Sequence, residues 1–162
     1  MSNEIICFHN PNEENGYLSN WYLSDFQIEN IRFSSMEQYM MYQKAVCFGD
    51  VEISKKILET EDAARIKELG RLVANYDDHI WSGKRQFVVY EGLITKFSQN
   101  QELLCLLQET GNCILAECAV RDKIWGIGLS MDDANRFDIE KWTGQNLLGY
   151  TLMMVRDTLK EF

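Results

Sequence analysis

Helical periodicity, punctuated by capping residues and glycines, recurs from Ser34 to Gly111, and this run confines the chain to a fold made chiefly of helices. Ser34 and Glu37 stand at capping-box spacing, so a helix is expected from about Ser35 to Phe48, ended by Gly49. Similar patterns cover Val51 to Glu59 and Asp62 to Leu69, with Gly70 expected as a left-handed cap. Asp77 or Asp78 caps a longer helix through Trp81, Arg85 and Val89 to about Phe97, which Gly83 and Gly92 weaken. Another fits Gln101 to Glu109, and the last runs from near Asn146 to near Lys160, with Leu148, Leu152, Val155 and Leu159 facing the core. Strands are short: Glu4 to His9, a hairpin in which Glu29-Asn30 turns Phe26–Ile28 into Ile31–Phe33, and Cys113 to Cys118. Arg121 to Asp133 reads as an irregular loop. The expected class is mainly α with a few short β-strands (α+β).

The 162 residues fit one domain, 1–162, because no Gly/Ser-rich or Pro-rich stretch interrupts them. The net charge of −9 repels polyanions and disfavours an extended nucleic-acid surface. A small phosphorylated ligand, or a single modified nucleotide, is compatible where a few Arg and Lys converge. The opening Met1-Ser2-Asn3-Glu4 lacks a basic, apolar leader, and no run of about 20 apolar residues spans a bilayer, so a soluble, cytoplasmic protein without membrane contact is expected. Five cysteines without a C-x-x-C pair, and only His9 and His79 beside them, point to free thiols and no metal site. Cys105, inside Leu103-Leu104-Cys105-Leu106-Leu107, is expected as a small apolar filler. Monomer and dimer are both compatible with an acidic domain of this size.

Three groups of residues carry possible chemistry. Glu37 and Lys44 are seven positions apart on the first helix, nearly on one face and about 10.5 Å apart along the axis, with Met41 between. Spacing alone favours a capping carboxylate and a solvated lysine over a pair facing a pocket. Trp81 and Arg85 stand at i,i+4; a core ring with a snorkelling guanidinium is the commoner case, and a base-stacking ring beside a phosphate-gripping fork is the functional one. In Arg121-Asp122-Lys123-Ile124-Trp125-Gly126-Ile127-Gly128-Leu129 a carboxylate lies between two cations, and Gly126 lets backbone approach a ligand. Gly126-x-Gly128 lacks a third glycine at dinucleotide-fold spacing, so no Rossmann site is expected. Serine-hydrolase elbows, phosphate-binding Gly-Lys-Ser/Thr loops and His-Glu-x-x-His helices do not occur.

Taken in order, Leu18-Ser19-Asn20-Trp21-Tyr22, Ser35-Met36-Glu37-Gln38-Tyr39 with Gln43-Lys44-Ala45, Leu69-Gly70-Arg71, Trp81 with Arg85, and Lys96-Phe97-Ser98-Gln99-Asn100 form a recognisable set. Thr110-Gly111, Glu117, Asp122 with Trp125-Gly126-Ile127-Gly128-Leu129, Trp142-Thr143-Gly144-Gln145-Asn146-Leu147-Leu148-Gly149, and Leu152-Met153 with Val155-Arg156 continue it over nearly the whole chain. The chain resembles the YbiA-like, or NADAR, family. The resemblance implies hydrolysis of an N-glycosidic bond at a phosphorylated ribose, without a cofactor. The substrates it implies are phosphoribosylamino-pyrimidine intermediates of riboflavin synthesis or ADP-ribose on modified guanine.

With that chemistry, Glu37 moves protons, Lys44 acts as nucleophile or electrostatic donor, and Asp122 stabilises charge or activates water. Trp81 or Trp125 stacks on the base, Arg71 and Arg85 hold phosphate, Ser19 and Asn20 bind ribose hydroxyls, and Gly126 gives close backbone approach. The family's usual proline before the helix is Ser34 or Ser35 here, its common histidine is Gln38, and Cys118-Ala119-Val120 follows Glu117; these departures bear on substrate choice. Two other classes stay open: a non-catalytic ADP-ribose or NAD reader, and an antitoxin-type interaction protein.

Overall fold

The computed structural model describes residues 4–160. Met1 to Asn3, on which the reading of an absent leader partly rests, lie outside them. In chain order the elements are β1 (Ile5–Phe8), β2 (Phe26–Ile28), β3 (Ile31–Phe33), α1 (Met36–Cys47), α2 (Val51–Leu58), α3 (Ala63–Arg71), α4 (Asp78–Gln99), α5 (Gln101–Glu109), β4 (Ile114–Glu117) and α6 (Leu147–Leu159). Short 3-10 turns at Gly16–Leu18, Ala134–Phe137 and Ile139–Lys141 were not anticipated. The class is the expected α+β with short strands. Among the described residues no helix is long and apolar enough to cross a membrane. The fold divides into two units, residues 23–100 and the remainder on either side of them.

In the unit 23–100, Glu29 and Asn30 both take positive φ (50° and 65°), the backbone that a tight two-residue hairpin turn needs, and Phe26 pairs with Phe33 across β2 and β3. Those two rings meet Tyr39 of α1 at centroid distances of 5.9 and 5.0 Å, which seats the helix on the hairpin. The cap of α1 differs by one residue from the expected Ser34/Glu37 box. The Ser35 side chain accepts from Gln38 N at 3.2 Å, and Gln38 Oε1 accepts from Ser34 N at 2.7 Å and from Ser34 Oγ at 3.0 Å. Gln38 Nε2 then donates to Ile57 O and Thr60 O, tying the start of α1 to the end of α2. Glu37 is thereby relieved of capping.

Aspartates cap the following helices: Asp50 for α2, Asp62 for α3 and Asp77 for α4, each accepting backbone N–H groups of its first turn. Gly70 is not the expected left-handed cap. It lies inside α3, where a Cβ would sit 2.0 Å from Met41 Sδ, so the glycine serves the crossing of α3 over α1. The helix α4 runs unbroken through Gly83 and Gly92. Gly92 packs on α1, where a Cβ would come within 2.5 Å of the Tyr39 ring, whereas Gly83 faces open space.

In the other unit, β1 and β4 pair in parallel from Ile5↔Ile114 to Phe8↔Glu117. Asn146 holds the outer edge of β4: its Oδ1 accepts from Glu117 N at 3.1 Å and its Nδ2 donates to Leu115 O at 2.8 Å. Asn146 is fully buried with φ 51°, a left-handed conformation that asparagine tolerates better than most residues. Gly149, one turn into α6, lies against the same strand; a Cβ there would be 2.0 Å from Leu115 O. Arg156 of α6 is buried and donates to Thr110 Oγ1 and Cys113 O, closing the turn between α5 and β4. Cys105 is exposed rather than a core filler, because the apolar face of α5 is Leu103 and Leu107.

The two glycines of α4 give opposite expectations. Gly83→Ala raises stability by about 0.5–1 kcal/mol, since an alanine there meets nothing and restricts the unfolded chain. Gly92→Ala lowers it by about 1–3 kcal/mol through forced repacking of Tyr39 and Met36. Urea unfolding of both variants checks the pair; equal effects contradict the assigned crossing.

Candidate active site

Glu37 occupies the first turn of α1 and is only 5% exposed. Two turns on, Lys44 is half-buried, and its ammonium is held below the usual lysine range. Burial is the main cause; the charge of Arg71 acts in the same direction, and the carboxylates of Glu37 and Asp78 oppose it. Lys44 thus sits in a cluster drawn from three helices: Glu37 on α1, Arg71 at the end of α3 and Asp78 at the start of α4. The helical spacing placed Glu37 and Lys44 on one face, and the structure makes them electrostatic neighbours.

Tyr76 was missed by sequence reasoning. Its ring lies under Lys44 Nζ at 4.4 Å from the centroid, its edge meets Phe48 at 5.4 Å, and its hydroxyl donates to Asp78 Oδ1 at 2.7 Å. The loop Ala74 to Asp77 carries it, after Asn75 in a left-handed turn (φ 57°). The signals that exist there, an asparagine and two aspartates, read only as turn and cap. Arg85 is half-buried close to this phenol, whose ionisation its charge favours, and its Nε is a buried donor without a hydrogen-bond partner. Trp81 is buried in α4, and Arg71 is exposed at the end of α3. Lys96, also unanticipated, is fully buried on α4, and desolvation lowers its ammonium to about 7.

In the other unit, Ser19 and Asn20 are buried at the exit of the 3-10 turn Gly16–Leu18. A Cβ on Gly16 would strike Pro11 O at 2.2 Å, so that turn folds tightly back on the preceding loop. Ser19 Oγ accepts from Trp21 N at 3.2 Å, while Asn20 Oδ1 is a buried acceptor without a partner. Asp122 Oδ1 accepts from Ile124 N and Trp125 N, which bends residues 122–126 into a turn closed by Gly126 N to Asp122 O. Segment 143–148 lies along this loop: Gly144 N donates to Ile127 O, Gln145 N to Lys123 O, Asn146 N to Gly126 O and Leu148 N to Trp125 O.

The glycines make that close approach possible. A Cβ on Gly144 would lie 2.2 Å from Gly126 O, and one on Gly128, at φ 78°, would lie 2.1 Å from Thr143 Oγ1. Asp122 and Trp125 are partly buried and Gly126 buried within this frame. At the carboxyl end of β1, His9 Nδ1 stands 3.6 Å from Glu117 Oε1, and the carboxylate raises the imidazole above its ordinary value. Among the described residues no cluster of His, Cys, Asp and Glu fits a metal ion.

The NADAR domain model matches residues 7–160. An N-glycosidase of Acanthamoeba polyphaga mimivirus is 40% identical over 96% of this chain and 96% of its own length. A riboflavin biosynthesis protein of Vibrio vulnificus is 35% identical over 96% of this chain, which corresponds to 39% of that longer protein. The NMR structure of the E. coli protein YbiA superposes with a TM-score of 0.81 at 26% identity, covering 99% of this chain and 88% of that one.

A lowered lysine pKa means that the neutral amine appears at lower pH than on an exposed lysine. Titration of 13C-labelled lysine side chains is expected to show Lys44 losing its proton before the exposed lysines. Glu37→Gln moves that transition further down by removing a negative neighbour, and Arg71→Met moves it up by removing a positive one. A Lys44 that titrates together with the exposed lysines contradicts the cluster.

Proposed function

The chain belongs to the NADAR domain family, and we propose that it is an N-glycosidase that hydrolyses the bond between a phosphorylated ribose and an amino nitrogen. The observation that carries the reading is a half-buried lysine, its ammonium destabilised by burial, within electrostatic reach of a carboxylate that is almost wholly buried. Buried acid and amine groups held together at a cost in desolvation are the ordinary signature of proton transfer and nucleophilic chemistry. The name of the mimivirus relative, an N-glycosidase, supports the bond type, and that of the Vibrio relative supports a link to riboflavin biosynthesis.

An amino nitrogen on C1 of ribose lets the sugar ring open, with the nitrogen lone pair expelling O4 to give a C1=N iminium. The neutral amine of Lys44 adds to C1, the departing base nitrogen takes a proton and leaves as the free amine, and a lysyl imine stays on the ribose. Water then adds to C1 and releases the lysine, giving the free sugar phosphate. Glu37 protonates O4 as the ring opens, carries the proton shed by the added lysine to the leaving nitrogen, and recovers one from the attacking water, which it returns to the lysine nitrogen on release. Arg71 neutralises phosphate at the rim, and Arg85 offers its partnerless Nε to phosphate oxygen. Trp81 supplies a ring for the base. Taken by itself, the other unit offers the chemistry that the family resemblance implies for it: Asn20 Oδ1, next to Ser19 in sequence, is a buried acceptor suited to a ribose hydroxyl, and Asp122, its Oδ1 engaged by backbone, lies in the turn that carries Trp125 and Gly126.

The substrate is either a phosphoribosylamino-pyrimidine or an ADP-ribosylated guanine nucleotide; both present ribose on an amino nitrogen. A side-by-side mass-spectrometric assay of an aminopyrimidine ribotide and an ADP-ribosylated guanine oligonucleotide is expected to show release of the sugar phosphate from one of them. Glu37→Gln is expected to slow that release by about 10²–10⁴-fold. Failure to cleave either substrate contradicts the reading.

A further inference from the structure

We propose that Tyr76 is a positioning residue of the active site, an aromatic platform that fixes the Lys44 amine in its reactive direction and is itself locked by Asp78. The inference rests on Lys44 being the reacting amine. Three contacts in different directions hold the ring: the edge of Phe48 at 5.4 Å, the Lys44 ammonium at 4.4 Å from the centroid, and the Asp78 carboxylate at 2.7 Å from the phenol oxygen. Phe48 caps α1, so the brace comes from the same helix as Lys44, while Asp78 opens α4. The platform therefore joins the two helices at the amine.

A lysine side chain has four rotatable bonds, and a nucleophile must reach its target along a narrow approach. Among the described groups, those acting on the Lys44 charge are Glu37 from its own helix, Arg71 from α3, and Asp78 and the Tyr76 ring from the start of α4 and the loop before it. The three charged groups act at a distance and do not fix direction. The Tyr76 face is in contact, and contact with a rigid plane restricts the amine to one side. Tyr76 is 43% exposed, so its ring contributes less to the core than to this contact.

The test compares Tyr76→Leu, Tyr76→Phe, Tyr76→Trp and Lys44→Ala on the substrate that the wild-type protein cleaves. Tyr76→Leu keeps apolar bulk and removes the ring face; kcat at its optimum is expected to fall by about tenfold with KM within threefold. Its pH limb for the nucleophile is expected to move to lower pH, because the ring no longer favours the ammonium while water stays excluded. Tyr76→Phe and Tyr76→Trp restore most of the lost kcat. In the wild-type protein the Lys44 Hε resonances are expected upfield of those of other lysines under the ring current, a readout independent of how the variants fold. A Tyr76→Leu enzyme with wild-type kcat and pH limb beside an inactive Lys44→Ala overturns the Tyr76 inference alone, as does an unshifted Lys44 Hε. An active Lys44→Ala overturns both this inference and the catalytic reading of Lys44.

Discussion

The carboxamide of Gln38 is the group on which the arrangement of the site depends. It satisfies the start of α1 through Ser34 and reaches the last carbonyls around α2 through Ile57 and Thr60. Four hydrogen bonds from one buried side chain fix where α1 begins and how it is rotated. Loss of one partner in such a network leaves several buried polar groups unmatched, each costing about 1–3 kcal/mol. With Ser35 as the cap and Gln38 bound to Ser34, the adjacent Glu37 is carried inward, and the helix then delivers Lys44 two turns later to the same neighbourhood.

Charge decides the character of that neighbourhood. An acidic chain with a net charge of −9 gathers two cations, Lys44 and Arg71, with Arg85 near the same tyrosine. Burial and the Arg71 charge outweigh the two carboxylates that favour the ammonium, so the proton is held less firmly than on an exposed lysine. The same local excess of guanidinium suits a phosphate, which the rest of the surface repels. The family's glycine-rich blocks do a different job in the other unit. Gly126, Gly128 and Gly144 let two backbone segments lie against each other, and Asn146 with Gly149 joins that layer to β4, so loop and helix hold Asp122 and Trp125 in a defined turn.

Much of this was legible in the sequence because it is encoded locally. The hairpin at Glu29-Asn30, the aspartate caps and the spacing of Glu37 and Lys44 all depend on residues within a few positions of one another. Where the reading went astray, a distant neighbour decided the outcome. Gly70 looked like a helix stop but accommodates Met41 of another helix; Ser34/Glu37 looked like a capping box, but Gln38 had partners near Thr60. Tyr76 gave no signal, because its ring contacts lie on the distant helix α1 and a loop residue carries no periodicity. Lys96 was visible only as the first residue of the block Lys96-Phe97-Ser98-Gln99-Asn100, and its complete burial follows from packing that spacing does not reveal.

The central claim is that Lys44 becomes covalently joined to the sugar while the base departs. Borohydride added during turnover, followed by mass spectrometry of the digested protein, tests it directly. The account predicts a reduced ribosyl-phosphate adduct on the peptide carrying Lys44, absent from Lys44→Ala. Steady turnover with no adduct on that peptide would contradict it.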